Sequence, residues 1–471
     1  MPDSFPDSFD NATIAAISTP LAPGGMGVVR ISGPQAFQVA EQVFAPARPG
    51  QVSEYRGYTV HYGRAFERAE GERSDIDECV ATFFRAPKSY TGEDVVELSC
   101  HGGPVLLQRL LRAVLTAGAQ PAGPGDFTRR ALMNGKLSLT QAEAVMDLIH
   151  AKSVQASRAA LQLRDGGLYR EIAAVNGSLV ELAGHLAAWV DFPEEDVEEL
   201  SPGRLLEGLE EQKKVLDRLI QGYDSGRLIR EGIGIAIVGR PNVGKSTLMN
   251  LLSRSQRSIV THIPGTTRDV VEETVQLDGL TLRLADTAGL RDTPDPVETV
   301  GVELARRRLE ESQAVLAVFD LSQELGQEDL ELMESLRDRP ALAVFNKGDL
   351  PRRLDADRLK EGFSHWVELS ACQPGCREEL EAALLRLLRQ RLGTGEIDPA
   401  APMLANERQL RQAVKGSEAL GEAVEALQAG VTLDAVSVCV DQALDALMEL
   451  TGEKVSDRVI DQVFAAFCVG K

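Results

Sequence analysis

Long hydrophobic runs are absent from the sequence, since no run of about 18 apolar residues predicts a membrane-spanning helix. The first residues, Met1 to Asp7, also lack the basic and then apolar layout of a signal peptide. Cysteine is scarce, with six in 471 residues. Cys372 and Cys376 form the only close pair, and no second pair completes a zinc site. We therefore expect a cytoplasmic protein with reduced thiols and no membrane partner.

Basic residues are also few relative to acidic residues. Fifty lysines and arginines face 71 acidic residues, which gives a net charge of −21. This balance argues against a surface coated in basic residues for duplex nucleic acid. It leaves open a local basic patch, or RNA binding shared with a basic partner. The hydrophobic content of 43% is ordinary for a globular protein, and the length suits about three domains.

Three kinds of sequence pattern follow one another along the chain. Residues 1–125 contain short β-branched runs bounded by glycine and proline, together with helical segments, and predict an α+β domain. Residues 126–229 and 391–471 carry apolar residues at helical spacing, and 142–163 predicts one long helix. Each helical block is too small to form a stable helical bundle by itself, so we expect the two blocks to pack together as one all-α domain. Residues 230–390 would then be an inserted nucleotide domain.

The segment from Gly239 to Thr247 reads Gly-Arg-Pro-Asn-Val-Gly-Lys-Ser-Thr and fits the phosphate-loop pattern G-x-x-x-x-G-K-[ST]. An apolar run precedes it and a helical pattern follows, which distinguishes it from an ordinary glycine turn. The loop amides would surround phosphate oxygens, and Lys245 would reach the β- and γ-phosphates. Ser246 would offer its hydroxyl to Mg²⁺.

Three further nucleotide motifs follow in order. Residues 265–269 (Gly-Thr-Thr-Arg-Asp) form a loop in which a threonine can close over Mg²⁺ and the γ-phosphate. Residues 286–289 (Asp-Thr-Ala-Gly) end a predicted strand; their aspartate would hold Mg²⁺ through water, and their glycine amide can meet the γ-phosphate. Residues 346–349 (Asn-Lys-Gly-Asp) end another strand, and their aspartate can accept hydrogen bonds from guanine N1 and N2. Ser370 and Ala371 can present a backbone amide to guanine O6.

Each of these motifs alone has an ordinary interpretation as a polar turn or loop. In this order they resemble the translation-factor-like GTPase superfamily, which implies an α/β P-loop domain with a doubly wound sheet and the ligand at the carboxyl ends of the strands. Signalling GTPases place a water-orienting glutamine directly after the second of these motifs, but this chain has Leu290 there. Another group must orient the water. The candidates are the downstream charges Arg291, Asp292, Asp295 and Glu298, of which we interpret Asp292 and Asp295 as solvated loop charges.

The two ends of the chain distinguish between the bacterial GTPase families that share these motifs. The last eight residues read Phe-Ala-Ala-Phe-Cys-Val-Gly-Lys and are similar to the Phe-Cys-Ile-Gly-Lys ending of the MnmE (TrmE) family of tRNA modification GTPases. Segments 24–33, 90–97, 101–104 and 124–131 resemble the same family. The resemblance covers essentially the whole chain, including the insertion of the nucleotide domain.

This resemblance implies a potassium-dependent GTPase that works with an FAD-containing partner, MnmG, in a heterotetramer or larger assembly. The pair adds an aminomethyl-type group, commonly carboxymethylaminomethyl, to C5 of wobble uridine 34 in certain tRNAs. The one-carbon unit comes from 5-formyl- or methylene-tetrahydrofolate. The N-terminal domain would bind the folate and form a homodimer, and the two nucleotide domains would pair during GTP hydrolysis.

The resemblance also implies roles for individual residues. A cation ringed by carbonyls can supply the positive charge that an arginine finger supplies elsewhere. The implied K⁺ ligands are Asn242, Thr261, Ile263 and Thr266, and the Mg²⁺ ligands are Ser246 and Thr267. The implied catalytic residues are Glu298, which orients water, Lys245 and Thr267. The implied folate contacts are Arg30, Glu97, Lys136 and Lys471.

The full predicted GTP set extends over all of the motifs. It comprises Asn242, Val243, Gly244, Lys245, Ser246, Thr247, Thr261, His262, Ile263, Pro264, Gly265, Thr266, Thr267, Asp286, Thr287, Ala288, Gly289, Asn346, Lys347, Asp349, Ser370 and Ala371. Pro264 stands where the family usually has alanine. Because proline keeps its carbonyl oxygen, we expect the loop that contains it still to bind the cation.

Some alternatives stay open at this point. Cys468 could be a small buried hydrophobic residue in the last helix or a reactive thiol beside the folate. A ribosome-assembly GTPase that acts as a binding switch would share the nucleotide motifs, but it would need an RNA-binding module, usually a basic one. A purely structural dimerisation scaffold is hard to reconcile with four intact nucleotide motifs.

Overall fold

The computed structural model describes residues 12–69, 72–191, 202–253, 273–286, 309–393, 398 and 400–471. The chain divides into two compact units, one formed by residues 1–146 with 444–471 and the other by residues 147–443. This division follows compactness, and the domain boundaries at residues 125, 229 and 390 stay predictions. Both ends of the chain belong to the first unit.

Most strands among the described residues are short, but Thr59–Ala69 and Glu72–Phe84 are long, with 11 and 13 residues. The strands are β1 (Ile14–Ile17), β2 (Gly24–Ser32), β3 (Phe44–Pro46), β4 (Thr59–Ala69), β5 (Glu72–Phe84), β6 (Val95–Gly102), β7 (Gln120–Pro121), β8 (Ile233–Val238), β9 (Glu273–Leu277), β10 (Leu280–Asp286), β11 (Ala314–Asp320), β12 (Ala341–Asn346) and β13 (His365–Glu368).

The helices of the described residues are concentrated between and after the two groups of strands. They are α1 (Ala36–Val43), α2 (Pro104–Thr116), α3 (Asp126–Met133), α4 (Leu139–His150), α5 (Val154–Arg164), α6 (Gly167–Asp191), α7 (Pro202–Gln221), α8 (Tyr223–Glu231), α9 (Lys245–Ser253), α10 (Gln327–Ser335), α11 (Ala356–Lys360), α12 (Cys376–Arg391), α13 (Glu407–Gln428), α14 (Leu433–Thr451) and α15 (Asp457–Phe464). A 3₁₀ turn spans Val52–Glu54.

The first unit is built on a sheet with the strand order β3-β4-β5-β6-β2-β1-β7. Its strand pairs are antiparallel except for β1 with β7, and the α+β prediction for this part of the chain is confirmed. Helices α1 and α2 cover one face, where Phe37 and Leu110 pack with Phe83 and Leu98 of the strands. Residues 444–471 belong to this unit again, and there Phe464 and Phe467 join a second small core with residues of α4.

In the second unit, helices from both sides of the nucleotide region pack together. Helix α13 lies against α7, and α6 also packs against α7. Between α7 and α13, Asp217 accepts hydrogen bonds from Ser417 Oγ at 2.5 Å and from Lys213 Nζ at 2.7 Å. This packing confirms that the two helical blocks form one all-α domain into which the nucleotide domain is inserted.

The nucleotide domain has the predicted doubly wound sheet, with the strand order β13-β12-β11-β8-β10-β9. Among the strands that the structure describes in this domain, all pairs are parallel except for β9 with β10. Helices α9 and α12 cover one face of the sheet, and α10 and α11 cover the other. Strands buried on both faces are apolar along most of their length, as in β11, which is apolar up to its last residue, Asp320. The carboxyl ends of β8, β10, β11 and β12 therefore meet at one edge, where the phosphate loop and residues 346–349 follow their strands.

One element differs from its prediction. The apolar spacing of residues 142–163 predicts a single helix, but the structure has α4 and α5, with a break around residue 152. Ser153 is extended there, and its Oγ accepts a hydrogen bond from Ala156 N at 3.0 Å, which caps α5. Throughout the described ranges, no helix combines the length and the apolarity needed to cross a membrane. All six cysteines are free thiols.

Candidate functional site

The phosphate loop connects buried β8 to α9, and its backbone lies directly against the neighbouring strands. Gly239 has φ of 146°, and a Cβ there would lie 2.3 Å from the Val318 carbonyl oxygen. Gly244 has φ of 105°, and its Cβ would lie 2.2 Å from Asn346 Nδ2. Both positions therefore require glycine. A loop without side chains at these two points, followed by a helix N-terminus, suits a phosphate group.

Lys245 is the first residue of α9 and is 7% exposed. Its Nζ donates hydrogen bonds to the carbonyl oxygens of Gly239 at 2.8 Å and Arg240 at 2.7 Å. The ammonium group is thereby held inside the loop. Ser246 and Thr247 follow on the exposed side of the first helical turn. Positive charge and accessible hydroxyls thus lie side by side, as phosphate and Mg²⁺ binding require.

Asn346, the last residue of β12, links the phosphate loop to the predicted guanine-binding loops. Its Nδ2 donates to the Val243 carbonyl oxygen at 2.9 Å, and its Oδ1 accepts from Ala371 N at 3.0 Å. In the same group of loops, Ser370 Oγ donates to Asp349 Oδ1 at 2.5 Å. The structure therefore brings these distant predicted residues together. The sequence did not predict that Asn346 would make this buried link.

Lys347 makes a second link that sequence reasoning missed. Its Nζ lies 2.7 Å from Oδ2 of Asp320, which ends β11 and is 4% exposed. Burial raises the pKa of Asp320, but hydrogen bonds from Lys347 and Ser322 more than offset that effect, so the pKa lies below its usual value. The signal that could have revealed this pair is a carboxylate at the end of an otherwise apolar strand.

Several predicted residues lie outside the described part of the chain. They are Thr261, His262, Ile263, Pro264, Gly265, Thr266, Thr267, Thr287, Ala288, Gly289 and Glu298, together with Leu290, Arg291, Asp292 and Asp295. Asp286 ends β10, where its backbone pairs with Ile237 of β8. Asn242 is exposed in the phosphate loop, with φ of 62°.

The predicted folate residues form a second cluster, in the first unit. Arg30 of β2 lies directly opposite Glu97 of β6, with its Nη2 2.8 Å and its Nε 2.9 Å from Glu97 Oε1. Its guanidinium carbon lies 5.5 Å from the centres of the rings of both Tyr90 and Phe127. Burial lowers the pKa of Lys471, and the charge of Arg30 lowers it further, while Glu97 opposes this effect. Three of the four predicted residues are therefore close together.

Lys136 is the fourth predicted folate residue and lies on a neighbouring loop. Its Nζ donates to the Pro87 carbonyl oxygen at 3.0 Å, and its stem lies beside Gly92. Cys468 lies beyond the end of α15 and is exposed. Its interpretation as a buried residue of the last helix is therefore wrong, and the reactive role stays a prediction.

Two family comparisons cover most of the chain. The family described as the GTP-binding protein TrmE N-terminus matches residues 13–136, and the MnmE helical domain matches residues 139–468. The solved structure of the FeoB G-domain from Methanococcus jannaschii covers 34% of this chain and 98% of its own length, at 26% identity. Its TM-score of 0.25 is too low to carry an argument about the fold.

Full-length relatives agree with the family matches. The tRNA modification GTPase MnmE of Thermoanaerobacter pseudethanolicus is 39% identical over 98% of this chain and 99% of its own length. The protein of the same name from Geobacillus kaustophilus is 40% identical, with the same shares covered. With this identity over nearly the whole length, and with both family matches along the chain, the chain belongs to the MnmE family of tRNA modification GTPases.

Proposed function

We propose that this chain is a potassium-dependent GTP hydrolase of a cytoplasmic tRNA-modifying complex. With an FAD-containing partner of the MnmG type, in a heterotetramer or larger assembly, it adds an aminomethyl-type group to C5 of wobble uridine 34 in certain tRNAs. The group is commonly carboxymethylaminomethyl. The observation that carries the proposal is full-length similarity to MnmE proteins together with the buried lysine and the two obligatory glycines of the phosphate loop.

In the nucleotide site, Lys245 neutralises phosphate charge, and Ser246 with Thr267 would hold Mg²⁺. The carboxylate of Asp349 accepts hydrogen bonds from the guanine N–H groups, and the aliphatic stem of Lys347 covers the base. The backbone amide of Ala371 lies in the adjoining loop, where Asn346 fixes it at 3.0 Å. The hydrogen bond from Ser370 Oγ to Asp349 Oδ1 at 2.5 Å holds this loop beside the carboxylate that would distinguish guanine from adenine.

Potassium would be held by Asn242 together with Thr261, Ile263 and Thr266. When bound, the cation supplies positive charge where an arginine finger acts in other GTPases. Glu298 takes the water-orienting role that Leu290 cannot perform. The exposed, left-handed position of Asn242 in the loop supports its availability as a ligand.

In the first unit, Arg30, Glu97, Lys136 and Lys471 would bind a 5-formyl- or methylene-tetrahydrofolate. A carboxylate such as Glu97 accepts the donor groups of a pterin ring, and the cationic side chains suit its anionic glutamate tail. The clustering of three of these residues supports this proposal. The proposal also includes a homodimer that forms through the N-terminal domain.

Turnover of GTP in potassium and sodium salts tests the proposal. We expect hydrolysis to be much faster in K⁺ than in Na⁺ at equal ionic strength, and equal rates would contradict it. The Glu298→Ala variant should lose hydrolysis and keep near-normal GTP binding. Loss of binding instead would show that Glu298 is a structural residue.

A ribosome-assembly GTPase is distinguished by two other measurements. Titration calorimetry of the full chain with 5-formyltetrahydrofolate should show binding, which a ribosome-assembly switch has no reason to show. Mass mapping of wobble uridines in cells that lack the gene should show the modification missing. Wobble uridines that are still fully modified in these cells would refute the tRNA-modifying role.

A further inference from the structure

The last four residues of the chain, 468–471, form a segment that we call the C-terminal tail. The carbonyl oxygen of Gly470 accepts hydrogen bonds from Ser18 Oγ at 3.1 Å and from Arg30 Nη1 at 3.4 Å. Gly470 is buried, has φ of 93°, and would place a Cβ 2.5 Å from the Ile17 carbonyl oxygen. The tail therefore lies directly against the end of β1, at a position that only glycine fits.

The rest of the C-terminal tail is held through its backbone by the start of α3. Gly125 N donates to the Cys468 carbonyl oxygen, and Phe127 N donates to the Lys471 carbonyl oxygen, each at 3.3 Å. Next to these two hydrogen bonds, Pro124 and Val469 form an antiparallel β-bridge. The amide of Phe127 lies in the first turn of α3, where helix donors lack helical partners, so the tail also satisfies that helix end.

The guanidinium group of Arg30 is occupied on nearly every side by the protein itself. Its Nε and Nη2 contact Glu97, and the rings of Tyr90 and Phe127 flank it. Its Nη1 contacts the Gly470 carbonyl, and the side chain is only 14% exposed. This arrangement makes Arg30 a connection between the tail and the sheet.

We infer that Ser18 and Arg30 are positioning residues that hold the Gly470 carbonyl and thereby place Lys471 beside Glu97 at the proposed folate site. This inference rests on the proposed function. Ser18 is the sharper of the two positions to test, because Arg30 is also a proposed folate contact. The Ser18 hydroxyl donates to the tail carbonyl, so its effect on the site passes through the tail.

The Ser18→Ala variant of the full chain removes this hydrogen bond. We expect hydrogen exchange at the Gly125 and Phe127 amides, measured by mass spectrometry on peptides that cover residues 124–128, to become about fivefold faster. Affinity for 5-formyltetrahydrofolate, measured by calorimetry, should fall about fivefold to tenfold. Ser18→Thr keeps a hydroxyl and should restore both values.

Ser312→Ala is the matched control. Ser312 Oγ also donates to a backbone carbonyl, that of Leu309 at 2.8 Å, but it lies in the second unit. This variant should change neither measurement. Weaker folate binding in Ser18→Ala with unchanged exchange would overturn the inference, because the hydroxyl would then act on the ligand directly. Faster exchange with unchanged affinity would overturn it as well.

The proposed function fails separately. If the wild-type chain does not bind 5-formyltetrahydrofolate, the folate role is refuted together with the purpose of the tail placement, whatever the exchange rates show. If the wild type binds and only the Ser18→Ala exchange result is negative, the folate role stands and the positioning role does not.

Discussion

The GTP site and the proposed folate site are assembled in opposite ways. The phosphate loop is one continuous segment, 239–247, and the carboxyl ends of buried parallel strands supply its neighbours. The folate cluster joins Arg30 on β2 to Gly470, 440 positions further along the chain. The first site is therefore specified by a local motif on a rigid sheet. The second depends on a few hydrogen bonds that close a very long loop, and it should be easier to loosen.

The largest effect should come from Gly244→Ala in the phosphate loop. The new Cβ would stand 2.2 Å from Asn346 Nδ2 at a φ of 105° that L-residues avoid. We expect GTP affinity to fall about a hundredfold, since backbone strain and a disturbed buried hydrogen bond add together. Fluorescent-nucleotide titration measures this effect. Gly375→Ala is the control, since it has φ of 87° and no atom within 4 Å of the new Cβ. Near-normal GTP affinity in Gly244→Ala would show that the loop is not rigid.

A smaller effect is expected from Gly470→Ala in the C-terminal tail. Its Cβ would lie 2.5 Å from a backbone oxygen, so the tail must move. Affinity for 5-formyltetrahydrofolate should fall about tenfold, while GTP turnover stays at the wild-type rate. Gly430→Ala has positive φ and open space around its Cβ, and it should keep both properties. A loss of GTP turnover in Gly470→Ala would show, contrary to this expectation, that the tail also affects the GTP site.

Lys347→Met should lower the free energy of unfolding at pH 7 by about 1–2 kcal/mol, because buried Asp320 loses a charged hydrogen-bond partner. The pKa of Asp320 lies below its usual value, so this stabilisation is present above the unfolded-state pKa of about 4. It disappears as pH falls through the lower folded-state pKa. Urea unfolding of both proteins should therefore give a constant difference from pH 7 to 5 and a shrinking one below. A difference that grows in acid would be inconsistent with this pair.

The smallest effect should come from Asp461→Asn on α15. Its Oδ1 lies 3.0 Å from Arg129 Nη1, but the two side chains are 61% and 32% exposed. Such a pair is screened by water and salt, so the expected loss is about 0.5 kcal/mol or less. Urea unfolding at low and at high salt measures it. A loss several times larger would mean that this ion pair, rather than the backbone contacts, secures the end of the chain.

Local patterns predicted the strand, loop and helix around residues 239–247, because glycine conformation and apolar runs act over a few residues. They failed for residues 142–163, where the helical spacing continues across the break and nothing but Ser153 signals a new helix start. They also missed the buried links made by Asn346 and Lys347. Each of those links joins loops that are far apart in sequence, and no local pattern records them.

The sequence by itself determined where the phosphate loop, the guanine-binding motifs and the two helical blocks lie, and its chain ends indicated the family. Only the tertiary structure decided that the Gly470 carbonyl accepts hydrogen bonds from Ser18 and Arg30. It also decided that Asn346 connects the phosphate loop to the loop that contains Ala371. The physical reason is the range of the interactions involved. Backbone conformation and apolar spacing depend on neighbouring residues in the sequence. A hydrogen bond between distant segments forms only after the whole fold has brought them together.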